Sequence, residues 1–337
     1  MKRGFVVLLV LAAWAAMVAS GAAVRESGPG AKAPDAVRVT ILHVADVHGQ
    51  LQARTVFGKS VGGYARLATL VRDERAAPDA ARVFLIHGGD EFSRGDDLTR
   101  ATLGAANIAI MNHLKFDMWV PGNGDHYDGP KNLLARARQA QFTVLSANVR
   151  VAATGEPIGK PFIIEKAGPV RLAFLGLCFV SPQHPESFKL YSVENPGQVA
   201  RKLVPELRKQ ADAVIVLSHL GVSDDEDLAG AVPGIDVILG SHTHVEWQEG
   251  LRVKGPDGRE VLICQAGEQL HVLGRLLLAF GKADSGYRLV SAADRLIPID
   301  AQVQEDATVK ALIAKLAAAA PKPKPGTKTK VPEAVAP

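Results

Sequence analysis

Apolar and polar positions along this chain alternate between two periods. VRVTILHVAD (37–46) is an apolar run closed by polar residues, as expected of a strand. In the GGYARLATLVRDER that follows, Tyr64, Leu67, Ala68 and Val71 fall at i, i+3, i+4 and i+7, the spacing of one helix face. RVFLIHGGD predicts a second strand, residues 99–114 a helix, and MWVPGNGD a short strand running into a glycine-rich loop. FTVLSANV, RLAFLGLC, DAVIVLSH, IDVILGSH, EVLICQAG and HVLGRLLLAF are further strand candidates, with helices near 131–140 and 196–210. Strands separated by helices predict α/β architecture, and the strand-rich final third predicts an added antiparallel portion.

The two ends read differently from the middle. Lys2 and Arg3 precede the apolar stretch GFVVLLVLAAWAAMVA and the small residues SGAA, the order of a secretory signal, so residues 1–23 are expected to be removed. The apolar run falls short of the roughly 20 residues a spanning helix needs, so no stable membrane insertion is expected after cleavage. Export to the periplasm or the extracellular space follows. Residues 24–35 form a Gly/Pro/Ala linker, 36–300 the folded domain, and 301–337 a C-terminal helix and a disordered Pro/Lys/Ala tail.

Charge follows the same division. The formal net charge is +4, but residues 1–23 carry +2 and residues 314–337 carry +4, which leaves the body at −2. A basic core that would bind a nucleic-acid polymer is therefore not expected. The two cysteines, Cys178 and Cys264, lie in apolar strand-like runs where a buried free thiol is the commoner state, and no C-x-x-C motif is present.

Chemistry-bearing residues gather where the predicted strands end. Asp46 and His48 stand two apart after the first strand, Asp90 closes the second and Asn123 follows MWVPG; His219 ends DAVIVLSH, and His242 and His244 follow IDVILG. In extended geometry residues two apart share a face, and sites in open α/β sheets form at the carboxyl ends of strands. Seven His, carboxylate and amide donors exceed a four-ligand structural zinc site. They suit Zn, Mn, Fe or Ni better than calcium, and the count fits two cations with one bridging carboxylate.

The order Asp-x-His, Gly-Gly-Asp, Gly-Asn, His, Gly-x-His-x-His resembles that of the calcineurin-like metallophosphoesterases. ILHVADVHGQL, VGGYARLATLV, HGGDEFSRGD, MNHLKFDMWVPGN, FTVLSANV, GIDVILGSHTH and CQAGEQLHVLGRLLLAF are similar, in order, to the N-terminal catalytic domain of the 5'-nucleotidase family, over about 37–281. The resemblance implies a four-layer sandwich, two mixed β-sheets flanked by helices. It implies that Asp46, His48 and His244 bind one metal, that Asn123, His219 and His242 bind the other, and that Asp90 bridges them. It further implies two divalent ions (Mn, Zn, Fe, Ni or Mg), a small phosphorylated substrate such as a nucleotide, and in-line hydrolysis by metal-activated hydroxide.

Two departures accompany the match. The family motif has a histidine directly after the Asn, whereas here the text is Gly122-Asn123-Gly124-Asp125-His126. Three readings stay open: His126, beside Asp125, serves as the catalytic acid through a changed loop; the substrate has a good leaving group; or the protein binds metal with little turnover. General acid help is typically worth about 10²–10⁴ in rate. The second departure is that the resemblance stops at the first domain, so the base-stacking aromatic residues of a C-terminal domain are not expected. A non-phosphate ester is a further possibility with no positive support. Gly58-Lys-Ser60-Val-Gly62 fits G-x-S-x-G, but QLQARTVF before it is too polar for the buried strand a nucleophile elbow requires.

Overall fold

Val37–Val44 forms the strand expected there and pairs in parallel with Arg82–His87, the next strand of the same sheet along the chain. The computed structural model describes residues 36–179 and 185–321, so the expected signal segment, the linker and the Pro/Lys tail lie outside the described residues. The first sheet runs in the order Tyr287–Ala293, Val272–Lys282, Val37–Val44, Arg82–His87, Met118–Trp119, Thr143–Val144, with Leu296–Pro298 also pairing with Val272–Lys282. Its last four strands are parallel and its first two are antiparallel additions.

The second sheet repeats that plan. Its order is Leu251–Lys254, Glu260–Gln265, Val237–Gly240, Ala213–His219, Val170–Cys178, Phe162–Ala167, with four parallel strands inside and an antiparallel strand at each edge. Strand alternation builds the layers. Leu172, Phe174, Ile215 and Leu217 face the core shared with Ile41 and Phe84 of the first sheet, and the Phe84 and Phe174 rings meet at 5.3 Å. Their neighbours Ala173, Leu175, Val214 and Val216 turn outward and pack with Val204 and Leu207 of the helix Pro196–Arg208 and Leu228 of the helix Val222–Ala231. On the far side of the first sheet, helices Tyr64–Ala76, Ala105–His113 and Ala307–Ala319 add Leu67, Val71, Ile108, Val309 and Ile313 to the same core. The result is two mixed sheets between helices, the architecture the resemblance implies.

Three elements depart from the pattern. The helix expected over 99–114 is two, Asp97–Thr102 and Ala105–His113, broken where Leu103 and Gly104 take φ of 47° and 78°. A Cβ on Gly104 would fall 2.5 Å from the Phe92 ring, so tertiary packing sets the break. FTVLSANV pairs over Thr143–Val144, Leu145 makes a single bridge to Lys160, and Val149 already belongs to the next short strand, Val149–Val151, paired with Tyr191–Val193. In the final third, Glu260–Gln265 pairs in parallel with Val237–Gly240 and antiparallel with Leu251–Lys254, so the expected antiparallel portion is joined there to a parallel core. Both cysteines are buried and free. Ser60 of the G-x-S-x-G run sits on a short hairpin and accepts a hydrogen bond from Arg66, with no buried strand before it.

Candidate metal centre

The carboxyl ends of both sets of parallel strands deliver side chains to one place. Asp46, His48, Asp90 and Asn123 come from loops after the first sheet, and His219, His242 and His244 from the end of the second. The convergence of Asp46 with His48 and of His242 with His244 does not come from extended strand geometry. Their strands end at Val44 and Gly240, and φ is 51° at Asp46 and at His48, 78° at His242 and 59° at His244. Asp90 and Arg94 are also left-handed, at 54° and 59°. Such conformations cost non-glycine residues of order 1–3 kcal/mol and cluster where function requires them.

Backbone hydrogen bonds hold the loops in place. Asp46 N–H donates to Gly89 O and His48 N–H to Asp90 O, each at 2.8 Å, locking the two first-sheet loops together. His242 N–H donates to Asp46 Oδ2 at 3.0 Å and joins the second sheet to the first. Glu91, buried beside Asp90, accepts from Tyr64 Oη at 2.7 Å and Asn107 Nδ2 at 2.6 Å, with His87 Nε2 at 2.8 Å. His87 Nδ1 accepts from Gly89 N–H, so its Nε2 carries the hydrogen.

Three imidazoles share one orientation. His48 Nδ1 lies 2.8 Å from Ser93 Oγ, His219 Nδ1 2.8 Å from Gly88 O, and His244 Nδ1 3.3 Å from Glu268. With Nδ1 against oxygen in each ring, the Nε2 atoms point inward, the arrangement that outer oxygen partners impose on metal-binding histidines. His48 Nε2 and His244 Nε2 face each other at 3.1 Å. His244 Nε2 is 3.4 Å from Asp46 Oδ1, which is fully buried. His219 Nε2 stands 3.2 Å from Asn123 Oδ1 and 3.4 Å from Asp90 Oδ1. Asp46, His48 and His244 offer ligand atoms all within 4.8 Å of one another, as do Asp46, Asp90 and His219. The His242 ring packs edge-on against His219 at 5.2 Å and Phe179 at 5.5 Å.

This donor set fits divalent cations. Burial pulls the His48 imidazole down to about 3 and the His242 imidazole to about 4, so both are neutral at physiological pH, the state a ligand requires. Burial also lowers His219. It raises the Asp46 carboxyl, but the hydrogen bond from His244 and the charges of His219 and His48 outweigh it and hold Asp46 low. Asp90 goes the other way: burial and the neighbouring Asp46 charge push it up to about 7. His244 differs from the other three imidazoles: burial lowers it, but the hydrogen bond and charge of Asp46 and the charge of Glu268 outweigh that and raise it.

Asp125 and His126 sit behind this surface. Asp125 accepts Phe92 N–H at 2.9 Å and Gly122 N–H at 2.8 Å, tying the glycine-rich loop to the Asp90 loop. His126 is buried, with Nδ1 2.6 Å from Gly122 O, its ring 4.7 Å from that of Tyr191, and Nε2 without a partner. His43 is packed away from the centre, with Nε2 3.1 Å from Asp294 and near Cys264. Ser93, Glu268 and the His87–Glu91 pair were not singled out by sequence reasoning. Their contacts are made through space, and only the nearness of Ser93 to Asp90 hints at them.

The model of the calcineurin-like phosphoesterase family matches residues 39–246. The chain is 29% identical over 312 residues to the snake venom 5'-nucleotidase of Naja atra, covering 82% of this chain and 56% of that protein. It is 33% identical over 200 residues to the uncharacterized metallophosphoesterase YunD of Bacillus subtilis, covering 58% and 42% respectively. The solved 5'-nucleotidase precursor of Thermus thermophilus superposes with a TM-score of 0.73 at 27% identity, over 84% of this chain and 59% of that one. The chain spans about half the length of the curated relatives it matches.

Proposed function

The chain belongs to the calcineurin-like phosphoesterase family, and from that premise we propose that it is an exported hydrolase of small phosphate esters, nucleotide-like or other monoesters and diesters, working with two divalent cations. Asp46, His48 and His244 would hold one cation and Asn123, His219 and His242 the other, with Asp90 as the carboxylate available to both. The observation that carries this reading is the convergence of two sets of ligand atoms, those of Asp46, His48 and His244 and those of Asp46, Asp90 and His219, each within 4.8 Å of one another. When bound, the cations lower the pKa of a water and neutralise charge that builds on the phosphoryl group.

The chain's own residues supply orientation. Gly88 O, Ser93 Oγ and Glu268 fix which imidazole nitrogen faces the centre. Gly124 N–H donates to Asp90 Oδ1 at 2.6 Å and aims that carboxylate. Asp125 anchors the loop that carries Asn123. The 5'-nucleotidase relatives support a nucleotide-like ester as substrate, and the residue pattern of 1–23 supports export.

A second reading is a metal-binding protein with weak turnover. It is favoured by the absence of a side chain at Gly124 and by the burial of His126, whose Nδ1 is turned to Gly122 O. Turnover separates the two. The purified protein, loaded with Mn or Zn, is assayed on p-nitrophenyl phosphate, bis(p-nitrophenyl) phosphate and nucleoside monophosphates beside Asp90→Asn. The hydrolase reading expects turnover that Asp90→Asn lowers by at least about 10²-fold. Bound metal without turnover on any of these esters would establish the second reading.

A further inference from the structure

Ser93 occupies the space that any side chain at position 124 would need. A Cβ built on Gly124 would fall 2.2 Å from Ser93 Oγ, 2.5 Å from Ser93 Cβ and 3.1 Å from Asp90 Oδ1. The first two contacts are shorter than real Cβ atoms tolerate, and serine is too short to swing clear. Glycine at 124 and serine at 93 are therefore one structural choice. The position the motif gives to a histidine is filled from the other loop by a hydroxyl.

That hydroxyl has a hydrogen to give. His48 Nδ1, 2.8 Å away, is the protonated nitrogen when Nε2 faces the centre, so Ser93 Oγ accepts from it. A hydroxyl that has accepted a hydrogen bond still donates its own O–H, and Ser93 is only half-buried. Arg94 follows, exposed and at positive φ, with Nη2 3.4 Å from His48 Nε2. Two donors, one of them charged, thus lie against His48, Ser93 Oγ at Nδ1 and Arg94 Nη2 nearest Nε2. A guanidinium has no lone pair to offer a cation and five N–H groups to offer an oxyanion.

We propose that Ser93 and Arg94 form the oxyanion-binding wall of this site: the Ser93 hydroxyl donates to a phosphoryl oxygen from the volume denied to residue 124, and Arg94 supplies the charge. This rests on the phosphoesterase reading above. No proton changes hands at Ser93, so the contribution belongs to the phosphoryl group and is independent of the leaving group.

The test compares the wild type with Ser93→Ala, Arg94→Gln, Gly124→Ala and the double variant Ser93→Gly/Gly124→Ala, all in the full protein. Metal content, Tm, inorganic phosphate affinity of the Mn-loaded protein, and kcat/KM for p-nitrophenyl phosphate and an alkyl phosphate are measured. At saturating Mn, Ser93→Ala is expected to reach full metal content while weakening phosphate about 10-fold and lowering kcat/KM about 10- to 100-fold, equally for both esters. Arg94→Gln is expected to raise KM and weaken phosphate about 10-fold with kcat changed less. Gly124→Ala should lower Tm and metal content, and the double variant should recover both because the shared volume is vacated.

Ser93→Ala with full metal content and with phosphate affinity and kcat/KM within twofold of wild type would overturn the proposal. So would a loss of metal from Ser93→Ala, which would make Ser93 only a positioning residue for His48. A wild type that takes up fewer than two metals would instead sink the dinuclear reading, and the Tm comparison at 93 and 124 would still report on the shared volume.

Discussion

His48 and His244, 196 residues apart in sequence, bring their Nε2 atoms to 3.1 Å while each Nδ1 already faces an oxygen. Two imidazole nitrogens at that distance need a proton or a cation between them. His244→Ala should therefore leave the metal-free fold unharmed, because the side chain is partly exposed. It should also abolish most of the rise in Tm that Mn or Zn produces, since stabilisation by ligand follows affinity. Thermal melts with and without cation check this. An undiminished shift in the variant would remove His244 from the centre.

Metal uptake should depend on pH with a defined sign. Asp90, pushed up to about 7 by burial and by Asp46, and His244, which Asp46 and Glu268 raise against the effect of burial, must lose their protons to bind, whereas His48 and His242 are already neutral above about 5. Affinity should climb by about tenfold or more per pH unit below 7 and flatten above 8. Calorimetric titration in buffers of different ionisation enthalpy would show between one and two protons released at pH 6 and clearly fewer at pH 8.5. The same proton release at both values would contradict the assignment.

A buried acid outside the centre gives an independent pH signature. Asp225 is fully buried with one hydrogen-bond donor, Ser218 Oγ, and burial pushes its carboxyl up to about 8. Its folded-state value lies above the unfolded value of about 3.9, so the native state binds more protons across that window and the group's contribution to stability falls as pH rises. Relative to wild type, Asp225→Asn should gain at least ~1 kcal/mol between pH 5 and pH 8. Urea melts at the two pH values decide it, and a constant difference between the proteins would rule the effect out.

Gly122 has no room for a side chain. A Cβ there would meet Asp90 Oδ1 at 2.2 Å, Asp90 N at 2.4 Å and the His219 ring at 2.6 Å. Gly122→Ala should therefore cost about 1–3 kcal/mol of stability and displace Asp90 and His219 together. Metal analysis of the purified variant should find less than half the wild-type content. A variant that keeps its full content would mean the loop absorbs the methyl.

The periodicity of the chain carried most of the architecture, because buried parallel strands are continuous apolar runs and the helix after the first strand repeats cleanly. It failed where tertiary contacts decided. The ring of Phe92 under Gly104 splits a helix whose local sequence favours continuity. The left-handed turns at Asp46 and His48 lie beyond the reach of a period-two argument, although the two side chains still converge. All seven donors were visible as residue types at strand ends. Ser93 was not, because its partners His48 and Gly124 are 45 and 31 residues away along the chain and meet it only in the fold. His126 was visible for its spacing, but the helical turn Gly124–His126 points its Nδ1 to Gly122 O.

The most direct test of the central claim is a count of metals. The purified protein, stripped by chelation and titrated with Mn or Zn, should take up two equivalents per chain. Asp90→Asn should take up one or fewer, because the carboxylate between the two cations is gone. A wild type that saturates at one equivalent or binds none, under any condition in which it is folded, would contradict the dinuclear centre.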